Sequence, residues 1–133
     1  MNTTPLRILI VDDHADNARM LKVLLKTEGH EAGIVHDGPA AIAAANLQKP
    51  DVVLLDLSLP GMSGIEVAAE LRRDPERSRC VLVAVTGYGK DILPSPSPFD
   101  GYFVKPLDFA SLLAYLSELR ARQQPPTWTS AVA

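Results

Sequence analysis

Short apolar runs alternate along the chain with stretches whose apolar residues fall three or four positions apart. Arg7-Ile8-Leu9-Ile10-Val11, Asp51-Val52-Val53-Leu54-Leu55, Val81-Leu82-Val83-Ala84-Val85 and Tyr102-Phe103-Val104 read as buried strands, and a further strand is predicted near Glu31 to His36. The first helix is predicted from about Asp16 to Glu28, with Ala18, Leu21, Leu24 and Leu25 inward and Gly29 closing it. Asp37-Gly38-Pro39 leads into an alanine-rich helix ending before Pro50, with Pro39 at a first helical position. The third helix opens on a capping box, Ser63-Gly64-Ile65-Glu66, and should bury Val67, Ala68 and Leu71. The last, Asp108 to about Arg122, carries Phe109, Leu112, Leu113, Leu116 and Leu119 on one face. Strand and helix in alternation predict βαβ units and a parallel sheet.

The polar residues that follow these strands carry the chemistry. Asp12 and Asp13 follow the first strand, Asp56 the third, Thr86 the fourth and Lys105 the fifth. In an open parallel sheet, ligands collect beyond the carboxyl ends of the strands. Two carboxylates about 4 Å apart repel by roughly 4 kcal/mol at an effective dielectric near 20, so such a pocket calls for a cation. Oxygen ligands with room for water suit Mg²⁺. A carboxylate can be the nucleophile that accepts a phosphoryl group, while a metal, an ammonium and a hydroxyl meet the phosphoryl oxygens. Taken singly, each Asp reads equally well as a loop cap.

Ile10-Val11-Asp12-Asp13, Leu54-Leu55-Asp56-Leu57-Ser58-Leu59-Pro60-Gly61-Met62-Ser63-Gly64, Ala84-Val85-Thr86-Gly87-Tyr88-Gly89 and Val104-Lys105-Pro106-Leu107-Asp108 together resemble the receiver domain of two-component response regulators, from about Arg7 to Leu119. The resemblance implies a doubly wound five-stranded parallel α/β sheet of flavodoxin-like order 2-1-3-4-5. It implies phosphorylation of Asp56 by a histidine kinase or histidine phosphotransfer protein. Mg²⁺ would be held by Asp13, Asp56 and the backbone carbonyl of Ser58, with Asp12 acting through water. Thr86 and Lys105 would contact the phosphoryl group, Thr86 and Tyr102 would form the switch, and the Lys105-Pro106 bond would be cis. Ser58 and Tyr88, each two residues beyond a site residue, are expected to tune the phosphoryl lifetime. Gly87 and Gly89 would let their loop bend.

The chain departs from the family between Thr86 and Lys105, where a receiver spends its fourth helix. Here Pro94-Ser95-Pro96-Ser97-Pro98 intervenes, and each proline inside a helix costs about 3 kcal/mol. The fourth helix is expected to be missing or reduced, and the segment shorter by roughly one turn. It would be either a mobile loop ordered by a partner, a rigid cover, or an ordinary surface loop.

Composition narrows the function class further. At 133 residues and 47% hydrophobic, the chain supports one core, expected over residues 1–122 with a disordered tail over 123–133. A net charge of −3 gives no reason to bind nucleic acid, and no apolar run approaches the roughly 20 residues of a membrane span. Cys80 alone makes no internal disulfide and reads as an inert thiol before a strand. His14, His30 and His36 lack metal-ligand spacing and read as surface or capping groups, His14 alone bordering the acidic pocket. Arg72-Arg73 and Arg120-Arg122 read as solvated helix ends. The expectation is a cytoplasmic single-domain receiver that switches protein contacts or relays phosphate, with no catalysis beyond its own phosphorylation and dephosphorylation. A receiver fragment of a hybrid kinase and an unphosphorylated binding module are the alternatives. An aspartyl-phosphate phosphatase is disfavoured, because the second acid it needs is replaced by Ser58 after Asp56 and by Ala15 after Asp13.

Overall fold

The computed structural model describes residues 5–74, 80–87 and 93–122. In chain order these form β1 (Arg7–Val11), α1 (Ala15–Thr27), β2 (Glu31–Val35), α2 (Gly38–Gln48), β3 (Val52–Asp56), α3 (Gly64–Arg73), β4 (Val81–Thr86), β5 (Gly101–Val104) and α4 (Phe109–Arg122). The strands make one parallel sheet of order β2-β1-β3-β4-β5.

Strand alternation divides the apolar residues between two layers. Leu9, Val11, Val53 and Leu55 meet Ala41, Ala45, Val67, Ala68 and Leu71 of α2 and α3. Ile8, Ile10, Val52 and Leu54 meet Ala18 and Leu25 of α1 and Leu112, Leu116 and Leu119 of α4. A sheet covered on both faces needs strands apolar at every position, which is why β1 and β3 read as unbroken apolar runs.

The helix starts follow local chemistry. Asp37 caps α2 by accepting from the Ala40 N–H at 2.8 Å, and Ser63 and Glu66 exchange the two bonds of a capping box at 3.2 Å each. The apolar stripe of α1 is wider than the surface it covers: Leu24 is 37% exposed, not inward, and Met20 and Val23 face solvent. On α4, Phe109 and Leu113 are only partly buried.

Two further expectations change. His30 is buried rather than on the surface, accepting from the Leu6 N–H at 3.3 Å with the Arg120 guanidinium 3.1 Å away. Arg72 is no solvated helix end: it donates to the carbonyls of Pro98 and Cys80, both at 2.9 Å, and to the Asp100 carboxylate at 2.6 Å.

Four helices stand among the described residues, so the count lends no support to a missing fourth helix. None of the four falls on residues 93–100, between β4 and β5, and residues 88–92 and the expected tail at 123–133 lie outside the described set.

Candidate phosphoryl-acceptor site

Register brings the polar strand ends level with one another. Val11 of β1 lies opposite Leu55 of β3, Asp56 opposite Val85 of β4, and Thr86 opposite Val104 of β5. Asp12, Asp56, Thr86 and Lys105 therefore emerge side by side along one edge of the sheet. Carboxylate oxygens of Asp12, Asp13 and Asp56 and a ring nitrogen of His14 all lie within 4.8 Å of one another.

Asp56 is the innermost of the acids, at 2% exposure. Its two oxygens are both engaged: Lys105 Nζ lies 2.8 Å from Oδ2, and the Ser58 N–H donates to Oδ1 at 2.9 Å. A buried carboxylate needs this compensation, because an unpaired charge away from water is strongly unfavourable. The turn after β3 closes tightly onto the acid's own backbone. A Cβ at Gly64 would stand 2.6 Å from the Asp56 carbonyl oxygen and 2.8 Å from Leu57 Cα, so only glycine lets α3 begin there.

Asp12 and Asp13 are more open. Asp12 Oδ1 accepts from the His14 N–H at 2.9 Å, and the Asp12 carbonyl lies 2.9 Å from His36 Nδ1. His14 Nδ1 stands 3.2 Å from Asp13 Oδ1 and 3.4 Å from Asp12 Oδ1. Three carboxylates with Lys105 as the nearby ammonium leave a negative balance on an oxygen-rich surface. Those donors fit a small hard divalent cation such as Mg²⁺.

The remaining predicted residues border this cluster. Thr86 is buried at the end of β4, and its carbonyl accepts from the Lys105 N–H at 2.7 Å. The Lys105-Pro106 peptide is cis. Tyr102 pairs in register with Ala84 and is 40% exposed on the edge strand. Tyr88 and Gly89 lie outside the described residues. Sequence reasoning placed His14 beside the acidic pocket, where its ring lies, but missed the contact of His36 with the acidic turn, although His36 directly follows the neighbouring strand. A groove of about 380 Å³ opens from Asp56 and Lys105 between α1 and the turn before α4, over Met20, Leu24 and Phe109.

The family model for the response regulator receiver domain matches residues 8–117. The chain belongs to that family. The receiver is 38% identical over 134 residues to the DNA-binding response regulator MtrA of Mycobacterium tuberculosis, a match covering 100% of this chain and 59% of that protein. It thus spans less than two thirds of this relative's length. Among solved structures it resembles a CheY-like receiver domain from Methylobacillus flagellatus, with 35% identity, a TM-score of 0.79 and coverage of 86% of this chain and 98% of that one. It also resembles the receiver domain of a sensor histidine kinase of Pseudomonas aeruginosa, solved with a magnesium ion coordinated in its active site cleft. There the identity is 26%, the TM-score 0.80 and the coverage 89% and 99%. Two-component signalling is accordingly the setting of this receiver, and no helix among its described residues is long and apolar enough to cross a membrane.

Proposed function

We propose that the receiver accepts a phosphoryl group on Asp56 from a phosphohistidine of a histidine kinase or histidine phosphotransfer protein. The observation that carries this reading is the pairing of Lys105 Nζ with the buried Asp56 carboxylate at 2.8 Å, at the centre of the acid cluster. One Asp56 oxygen attacks phosphorus, the P–N bond breaks, and its electron pair returns to the imidazole nitrogen. Lys105 then exchanges its carboxylate partner for a phosphoryl oxygen, and the Thr86 hydroxyl donates to another. Asp13, Asp56 and the Ser58 carbonyl would hold Mg²⁺, with Asp12 reaching it through water. The ion, when bound, neutralises charge on the phosphoryl oxygens. The groove beside Asp56 is where the donor's histidine would approach.

In this reading Thr86 and Tyr102 form the switch, Ser58 and Tyr88 set the lifetime, and activity ends with the receiver's own phosphorylation and dephosphorylation. The output is a change of protein contacts in the cytoplasm. The proline segment takes the place of the family's fourth helix, a view supported by the absence of helix over residues 93–100 and by the Arg72 bonds to Pro98 and Asp100. A receiver segment of a larger protein, such as a hybrid kinase, would use the same chemistry, and the Pseudomonas receiver is part of a sensor kinase.

The test is intact-mass measurement after incubation with Mg²⁺ and a small acyl phosphate. A phosphoryl adduct that requires both Mg²⁺ and Asp56, and is lost in Asp56→Asn, is the expected result. No adduct on folded, Mg²⁺-bound protein would replace this reading with an unphosphorylated binding module.

A further inference from the structure

We propose that His14 is a nitrogen ligand of the cation site, so that this receiver prefers a nitrogen-seeking divalent ion such as Co²⁺ over Mg²⁺ more strongly than a carboxylate-only site would. The inference rests on the reading that the acid cluster holds a divalent ion. An ion with bonds of about 2.1 Å has neighbouring donors about 3 Å apart and opposite donors about 4.2 Å apart. His14 Nδ1 lies 3.2 Å from Asp13 Oδ1 and 3.4 Å from Asp12 Oδ1, and the whole donor set fits within 4.8 Å. The 3.2 Å spacing of His14 Nδ1 from Asp13 Oδ1 is that of neighbouring donors in one coordination shell, and the 4.8 Å span, wider than a shell's diagonal, leaves Asp12 its place beyond a water.

The His14 ring is placed by its backbone rather than by packing. Its side chain is 65% exposed, while its N–H donates to Asp12 Oδ1 and its carbonyl accepts the Ala18 N–H as α1 begins. No core contact has to break for the ring to settle on an ion. On the far side of the cluster Lys105 already serves Asp56, so the open side, toward Asp12 and Asp13, is the side His14 closes. Carboxylates suit Mg²⁺ and Mn²⁺ alike, whereas an imidazole donor raises affinity along the order from Mn²⁺ through Co²⁺ and leaves Mg²⁺ nearly indifferent.

The experiment is calorimetric titration of the full chain with Mg²⁺ and, separately, with Co²⁺, for the unmodified protein, His14→Ala and Asp13→Ala at one fixed pH. Pulsed electron paramagnetic resonance of bound Mn²⁺ adds a signature for nitrogen. In His14→Ala the expected results are Co²⁺ affinity lowered about tenfold, Mg²⁺ affinity unchanged within about twofold, and loss of the nitrogen coupling to Mn²⁺. Asp13→Ala is expected to weaken both ions, which places them at this site. Equal changes for Mg²⁺ and Co²⁺ in His14→Ala, or a gain for both, would make the ring a mere counter-charge and overturn the inference. That outcome leaves the phosphoryl-acceptor reading intact, since the acyl phosphate experiment with Mg²⁺ tests it separately. Co²⁺ binding that survives in Asp13→Ala would likewise overturn the inference, and failure of both ions to bind, together with no adduct, would overturn both proposals.

Discussion

The end of β3 and the connection between β4 and β5 lie one strand apart and are held in opposite ways. At the β3 end, Asp56 is placed by strand register and by the Gly64 turn. Its nearest partners include the N–H of Ser58, only two residues on. Between β4 and β5, residues 93–100 belong to no helix or strand; Phe99 packs against the core, the Asp100 N–H donates to the Leu82 carbonyl at 2.7 Å, and one guanidinium adds the long-range side-chain ties. Arg72 of α3 reaches the Pro98 carbonyl and Asp100, which also accepts from the Leu82 N–H at 2.9 Å. The lesson is that the chemistry sits on backbone held by strand register, while the neighbouring surface depends in large part on side-chain ties that one substitution can loosen.

The strongest way to break the rigid half of that contrast is Gly64→Ala. The added methyl carbon would sit 2.6 Å from the Asp56 carbonyl oxygen and 2.8 Å from Leu57 Cα, and these two nearest neighbours are backbone atoms, which cannot swing aside. We expect a loss of about 3 kcal/mol in denaturant unfolding, at the upper end of ordinary overpacking, together with slowed phosphorylation by acyl phosphate. Unchanged stability with unchanged phosphorylation would mean that the turn after Asp56 is not the fixed frame described above.

Arg72→Ala tests the tied half. Hydrogen bonds from a charged donor contribute roughly 1.5–3 kcal/mol, and several are lost at once but at a partly exposed site, so about 2 kcal/mol of stability should go. Hydrogen exchange should quicken across residues 93–100 while Mg²⁺ affinity stays as it was. Arg72→Lys should restore little, because an ammonium cannot reproduce the planar fork that spans the Pro98 and Cys80 carbonyls and Asp100. Equal exchange rates with and without Arg72 would show that the proline segment is ordered by other contacts.

The same contrast governs how much could be read from the sequence. Strand periodicity, the Asp37 and Ser63 caps, and the level strand ends that gather Asp12, Asp56, Thr86 and Lys105 all depend on residues near in sequence or on sheet register, so the pattern reveals them. Arg72 and Arg120 were misread because a guanidinium at a helix end looks solvated. Their partners lie from 8 to 91 residues away, and no local pattern marks them. Leu24 was misread for a different reason: an apolar stripe says which face turns inward but not how far the neighbours extend. His14 was read as bordering the acidic pocket but not as one of its donors, because ligand spacing was sought between histidines, whereas its companions are the two acids immediately before it.

The smallest expected effect concerns His30, at the opposite end of the sheet from Asp56. Its Nδ1 accepts from the Leu6 N–H, and Arg120 stands beside it. Burial, reinforced by the Arg120 charge and only partly offset by Glu28, holds its pKa below the ordinary 6.5. As pH falls past about 6.5 the unfolded chain takes up this proton first. The unfolded state then binds more protons than the folded one, so stability falls with pH in the window from 6.5 down to the lowered folded value. The His30 contribution is complete above that window. Denaturant midpoints measured between about pH 7.5 and pH 5 should therefore decline more steeply in the unmodified receiver than in His30→Gln, which keeps an acceptor but does not titrate. Parallel curves for the two proteins would remove His30 from the account. A difference in slope accompanied by an unchanged acyl phosphate reaction would show that this end of the sheet contributes stability without reaching the site.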